Sequence, residues 1–191
     1  MNIDYLNKFK KAKNLGLKAK AKSNIRMFID SFTNDEEKSH WVKTYLEKGD
    51  YGHKIRHELY EEIVFPVLLN GYHINDSWSL YWLAKTIKNL YQSEKLHCQI
   101  DFKTDSELLR ACFSSDQTNH SVRLALLSRI VNSLDYAVHE WPAGVCYAPK
   151  ESSEDLLKEI DYARSLDMER NYSEFFAKVE AIVNEDKARM A

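Results

Sequence analysis

Two histidines and a glutamate in this chain are spaced so that they would share one face of a helix. His53, His57 and Glu61 follow one another at intervals of four residues, and side chains four residues apart are neighbours on a helix. Two imidazoles and a carboxylate form a ligand set that Zn²⁺ accepts. However, Lys54 and Arg56 add positive charge where the cation would lie. We therefore favour a solvated helix face with no cofactor, and keep a metal site at His53 and His57 as an alternative.

Two further pairs have spacings that metal or catalytic sites use. Glu37 and His40 form a Glu-x-x-His motif, but di-iron helical bundles need two such motifs and two more glutamates. Asp135 and His139 are four residues apart, so the carboxylate could orient the imidazole as in a general base. No nucleophile accompanies them in the sequence. A metal-dependent helical-bundle enzyme is thus the alternative to a non-enzymatic protein.

The sequence lacks the short motifs of common nucleotide-dependent and hydrolytic enzymes. It contains no GxxxxGK[ST], GxGxxG, HExxH or GxSxG pattern. Glycine and proline number only five and three among 191 residues. Hairpin-rich β folds and glycine-rich phosphate loops depend on these two residue types. The composition therefore predicts an all-α fold.

Charge, cysteine usage and hydropathy limit the compartment and the partners. A net charge of −2 disfavours nucleic acid as a partner, since nucleic-acid-binding domains are usually strongly basic. Cys98, Cys112 and Cys146 form no CxxC pair, which argues against a disulfide scaffold or a cysteine zinc site. No apolar run approaches the roughly 20 residues of a membrane-spanning helix, and the first residues lack the apolar core of a secretion signal. We expect a cytoplasmic protein without a membrane partner.

The pattern of apolar residues predicts a single-domain bundle of about seven or eight helices over residues 1–191. Capping boxes at Thr33–Glu36 and Thr104–Glu107 mark two helix starts. Periodic apolar residues predict helices over about 51–70, 119–141, 152–166 and 172–189. Pro66 should interrupt the first of these, and Gly71 should end it. Residues 97–102 alternate in polarity, so a short extended segment is expected there.

Residues 1–26 form a basic N-terminal segment at the periphery of this bundle. Eight lysines and arginines accompany a single acid, Asp4. One or two helices broken near Gly16 are expected. Runs of charge usually serve solubility, which is the favoured interpretation. RNA binding through this segment and the Trp78–Lys95 helix, where aromatic residues and lysines interleave, is a third option.

Acidic side chains cluster within single helical turns at Asp35–Glu37, at Glu58, Glu61 and Glu62, and at Glu151, Glu154, Asp155 and Glu159. Carboxylates on rigid helices can imitate a phosphate backbone and steer onto a basic cleft. In this overall character the chain resembles the immunity proteins of bacterial contact-dependent inhibition systems. The resemblance implies an inhibitor that occludes the active site of a cognate basic toxin, a nuclease. We expect the partner-binding residues to be Glu58, Glu61, Glu62, Asp155 and Glu159.

Overall fold

The computed structural model describes residues 1–49, 54–140 and 151–190; side chains 140, 151, 152, 186, 189 and 190 are not described. Within these ranges the chain is all-helical, with 80% helix, no strand and ten helices. The all-α prediction is confirmed. The predicted count of seven or eight is too low. The extended segment predicted over 97–102 is wrong, because a short helical segment over 94–100 ends there in a turn at 101–102.

The chain divides into two compact units, Met1–Ser115 and Asp116–Ala191, called here the N-terminal and C-terminal units. The single-domain organisation stays a prediction. The N-terminal unit contains α1 Ile3–Asn14, α2 Lys18–Asp30, α3 Asp35–Lys48, α4 57–73, α5 77–90, α6 94–100 and α7 Asp105–Ser115. The C-terminal unit contains α8 His120–Glu140, α9 Glu151–Leu166 and α10 Ser173–Met190.

Helices α1 and α2 form a hairpin, with the predicted break at Gly16. The φ of this glycine is +69°, a left-handed conformation that costs glycine little. Phe9 of α1 and Ile25 and Phe28 of α2 are buried. Since each helix buries one apolar stripe, the opposite faces of the hairpin are left to polar residues.

Of the two predicted capping boxes, the one at the start of α7 is present and the one at the start of α3 is not. Thr104 and Glu107 form the predicted box, with the Thr104 N–H donating to Glu107 Oε2 at 2.8 Å. At α3 the predicted cap Thr33 is wrong. Asn34 is the cap, and its Oδ1 accepts from the Glu37 N–H at 2.8 Å. Asn caps helices at least as well as Thr, so the cap lies one residue later, while Glu37 Oε2 accepts from the Thr33 N–H at 2.9 Å.

Helix α4 contains a π-helical segment, Tyr60–Val64, directly before Pro66. Because proline has no N–H, the α-helical ladder cannot run through it unbroken, and the predicted interruption takes this form. A π turn adds one residue to the helical repeat. Ile63, Val64 and Leu68 of this helix are buried, and Val67 is half-buried.

Helix α4 ends at His73, not at Gly71 as predicted. Gly71 lies inside the helix, where a Cβ atom would clash with the side chain of Ser79 in α5. This glycine is therefore required by the close approach of two helices. Asp76 caps α5 as expected, and its Oδ2 accepts from the Ser79 N–H at 3.0 Å.

The C-terminal unit is built from α8, α9 and α10, each of which contacts the other two. The predicted stripe of α8 buries Leu127, Ile130 and Leu134, while Trp141 lies outside the described residues. The turn between α9 and α10 is closed by the buried carboxylate of Asp167, which accepts from the N–H groups of Asn171 and Tyr172 at 3.0 and 2.8 Å. The unit therefore has a well-packed core and a fixed turn.

Two of the three cysteines lie in the described part of the chain. Cys98 is exposed and Cys112 is buried, both as free thiols, and Cys146 lies outside the described residues. None of the described helices combines the length and the apolar character needed to cross a membrane.

Candidate partner-binding surfaces

The predicted acids Glu58, Glu61 and Glu62 lie together in the first turns of α4, where all three are half-buried. A buried asparagine fixes the backbone that leads into these turns. Asn89 of α5 accepts from the Ile55 N–H at 3.1 Å and donates to the Ile55 carbonyl at 2.6 Å. Asn89 is 3% exposed. The start of α4 is thus held on α5 by two hydrogen bonds that water cannot replace easily.

Glu62 is bound by an arginine of the N-terminal hairpin. Arg26 Nη1 in α2 donates to both carboxylate oxygens of Glu62, at 2.8 and 2.7 Å. The same guanidinium donates through Nε to Asp30, at 2.9 Å. These contacts raise the pKa of Arg26, through its hydrogen bonds to Asp30 first and to Glu62 second. One guanidinium therefore binds two carboxylates.

Glu58 and Glu61 also have cationic neighbours. Lys95 Nζ lies 2.9 Å from Glu61 Oε1, and His57 Nε2 lies 3.2 Å from Glu61 Oε2. Arg56 Nη2 lies 2.8 Å from Glu58 Oε1. The hydrogen bonds from Lys95 and Arg56 lower the pKa of Glu61 and of Glu58 respectively. Each of the α4 acids therefore already contacts a cation, and a basic partner would have to displace these cations.

The same contacts describe the histidine–glutamate candidates for a metal. His57 and Glu61 are adjacent as predicted, but Lys95 occupies the other oxygen of Glu61, and His53 lies outside the described residues. Glu37 accepts from Thr33 and pairs with the N-terminal amino group instead of facing His40. Among the described residues no group of three or more His, Cys, Asp or Glu side chains is placed to hold a metal ion.

Asp155 and Glu159 lie on α9 in the C-terminal unit. The Asp155 side chain is 71% exposed and pairs with Lys158 at 3.0 Å, while Glu159 is half-buried. Glu154 and Asp161 are exposed on the same helix. Their cationic partners are Lys187 and Arg164, each at 3.3 Å. Pairs this exposed contribute little to stability, so these carboxylates can exchange partners at small cost.

The remaining candidates from the sequence are the Asp135–His139 pair and the tryptophans of α5. His139 Nδ1 donates to the backbone carbonyl of Asp135 at 2.9 Å, and the Asp135 carboxylate lies farther off, at 3.6 Å from the same nitrogen. Trp78 and Trp82 of α5 are half-buried and lie with ring centroids 6.3 Å apart. Lys43 of α3 lies over the Trp78 ring, 5.8 Å from its centroid. Trp78 therefore contacts both Trp82 of its own helix and α3.

Two features of the α1–α2 hairpin were not singled out in the sequence. Leu15 and Leu17, on either side of Gly16, are 64% and 47% exposed. A cavity of about 450 Å³ lies beside them, lined by these leucines, Ala12 and three lysines. The sequence signal was present, since two leucines flank a glycine inside a lysine-rich run. Only their exposure distinguishes them from core residues.

Comparison with protein-family models, with curated proteins and with solved structures finds no match to this chain.

Proposed function

We propose that this chain is a non-enzymatic, cytoplasmic binding protein: an immunity-type inhibitor that occludes the active site of a basic, nucleic-acid-cleaving toxin. The observation that carries the proposal is the charge of the C-terminal unit. Fourteen Asp and Glu residues accompany nine Lys and Arg residues there, and α9 presents Glu154, Asp155 and Asp161 to solvent. Such a surface steers a basic partner into contact and suppresses others.

The two predicted acidic surfaces differ in what binding would cost. On α9 the ion pairs are exposed, with side chains that are half to three-quarters accessible. On α4 the carboxylate of Glu62 is held by two hydrogen bonds from Arg26, and Glu61 is 28% exposed. Charge-assisted contacts of this kind are harder to give up. We therefore assign the first contact with the toxin to Asp155 and Glu159, and a secondary role to Glu58, Glu61 and Glu62.

The experiment combines partner capture with an activity assay. Immobilised full-length chain is incubated with lysate of its host, and bound protein is eluted with salt. The eluted basic protein is purified, and its cleavage of RNA and DNA is measured with and without the chain. We expect nanomolar binding that weakens with salt and complete inhibition at one equivalent. A captured protein without nuclease activity, or one whose activity the chain leaves unchanged, would contradict the proposal.

Charge reversal locates the surface. The double variant Asp155→Lys/Glu159→Lys should weaken the complex at least tenfold, mainly through slower association. Glu36→Lys/Glu47→Lys reverses two exposed acids of α3 and serves as the matched control. Loss of binding in the control or in Glu58→Lys/Glu62→Lys alone would move the surface away from α9. Equal loss in all three would leave only net charge as the cause.

The same purified chain tests the enzyme alternative. Metal content at one or two equivalents, lost in His57→Ala and accompanied by no captured partner, would replace the inhibitor proposal with a metal-dependent one.

A further inference from the structure

The α1–α2 hairpin presents an apolar tip. Leu15 and Leu17 are 64% and 47% exposed at its turn, and Gly16 between them adopts the left-handed conformation that brings the two helices back together. The large apolar side chains inside the hairpin, Phe9 and Phe28 among them, are buried. Leu15 and Leu17 are therefore exposed apolar residues that do not belong to the core of the hairpin.

Basic side chains surround this tip. Six exposed lysines of the hairpin take part in no ion pair among the residues that the structure describes: Lys8, Lys11, Lys13, Lys18, Lys20 and Lys22. Lys8, Lys11 and Lys20 line the cavity of about 450 Å³ together with Ala12, Leu15 and Leu17. Apolar and cationic groups thus share one concave surface at the end of the hairpin.

The first turn of α2 is arranged against the usual rule for helix ends. Leu17 occupies the N-cap position, where its side chain cannot accept a hydrogen bond from the first turn, and that turn holds no acid. Lys18 and Lys20 lie there instead, at the positive end of the helix dipole, where cations are unfavourable. An anionic surface against this end would relieve the repulsion. Departures of this kind from local preference occur where a function requires them.

We propose that the α1–α2 hairpin docks on the surface of an anionic lipid bilayer, with Leu15 and Leu17 inserted among the acyl chains and the lysines on the phosphate groups. Peripheral membrane elements combine these two features. The proposal goes beyond the inhibitor function and does not rest on it. It also goes beyond the expectation of no membrane partner, which rested on the lack of an apolar run of spanning length.

Nucleic acid is the other polyanion that lysines would attract, and the tip favours lipid over it. Binding of single strands uses exposed aromatic rings on which bases stack. Phe9 and Phe28 of the hairpin are buried and Tyr5 is half-buried under Lys8, whereas the large apolar residues exposed at the turn are leucines. Transfer of leucine side chains from water into hydrocarbon lowers their free energy, whereas contact with a phosphate backbone contributes little.

Vesicle binding by the full chain tests the proposal. Co-sedimentation is measured with vesicles of phosphatidylcholine, with and without phosphatidylglycerol. We expect binding only to the anionic vesicles. Lys11→Gln/Lys18→Gln/Lys20→Gln should lower partitioning about a hundredfold, since each lysine near an anionic bilayer is worth about fivefold. Lys85→Gln/Lys88→Gln/Lys178→Gln, which removes the same charge at exposed positions elsewhere, should leave partitioning within about twofold.

Variants of the two leucines distinguish insertion into the bilayer from electrostatic attraction alone. Leu15→Ser/Leu17→Ser keeps every charge and should lower partitioning at least tenfold, with the remaining binding abolished by salt. Circular dichroism checks that each variant is folded, and Lys11→Arg/Lys18→Arg/Lys20→Arg should bind like the parent chain. No binding to anionic vesicles, or leucine variants that bind like the parent, would overturn the proposal. If the chain binds a single-stranded RNA oligomer more tightly than anionic vesicles, and Leu15→Ser/Leu17→Ser leaves that RNA binding unchanged, the hairpin would be a nucleic-acid-binding element instead.

Discussion

The α1–α2 hairpin and the start of α4 both concentrate charge, yet they treat it differently. In α4 the carboxylates of Glu58 and Glu61 lie within 3.0 Å of Arg56 and Lys95. The hairpin carries six lysines without an ion pair in the described part of the chain. The charges of α4 therefore bind one another, whereas the lysines of the hairpin remain available to a partner.

This difference shows that charge density does not define a binding surface by itself. Arg26 illustrates the point, because it lies on the hairpin and yet binds Glu62 of α4 as well as Asp30 of its own helix. A charge that is already paired must be released from its partner before it can bind another, whereas an unpaired exposed charge needs no such release. Three predictions test this contrast.

The largest expected effect on stability concerns two buried asparagines: Asn89 of α5, which holds the start of α4, and Asn24 of the hairpin. Asn89→Ala removes both hydrogen bonds to the Ile55 backbone and leaves two buried backbone groups unpaired, so the free energy of unfolding should fall by about 3 kcal/mol. Asn24→Ala in the hairpin should cost about 1 kcal/mol or less, since Asn24 Nδ2 has no partner. Urea unfolding measures both. Equal costs would show that Asn89 does not anchor α4.

Acid should weaken α4 more than the hairpin. The pKa values of Glu58 and Glu61 lie below the ordinary 4.5 in the folded chain. Their contribution is therefore fully present above the unfolded pKa and is lost as the pH falls through the lowered folded values. Two partly exposed pairs are worth about 1 kcal/mol together.

Thermal unfolding between neutral pH and pH values below 4.5 measures this effect. Glu58→Gln/Glu61→Gln should flatten that part of the pH dependence, because the titrating groups are gone. Lys11→Gln/Lys20→Gln in the hairpin should leave it unchanged. An unaltered acid slope in the glutamine variant would show that the α4 pairs do not contribute in solution.

The smallest effect compares two single lysines. Lys95→Gln removes the partner of Glu61 and should cost about 0.5 kcal/mol at low salt. Lys20→Gln removes a cation from the start of α2, where it opposes the helix dipole, and should be neutral or stabilising by a similar amount. High salt should shrink both differences. A loss of stability on Lys20→Gln would show that this lysine has an internal partner.

Local signals in the sequence predicted several elements accurately. The box at Thr104 and Glu107, the break at Gly16 and the end of α3 at Gly49 all depend on groups within a few residues, and such contacts repeat from protein to protein. The miss at Thr33 is of the same kind, since Asn34 competes for the same N–H groups.

The candidate sites were less predictable, because their properties depend on distant residues. Glu61 and Lys95 are 34 positions apart in the chain, and Arg26 and Glu62 are 36 apart. The acidic cluster of α4 was visible in the sequence, but its neutralisation was not. The exposure of Leu15 and Leu17 was hidden for the converse reason, since a leucine in a helical pattern is usually a core residue.

The all-helical fold and most of the helix boundaries follow from the sequence, because glycine, proline and capping side chains act on their immediate neighbours. The pairing of the charges, the place of Gly71 inside α4 against Ser79 and the π turn before Pro66 depend on the tertiary structure. Those features arise where helices approach each other, and helix packing depends on contacts between residues far apart in the chain.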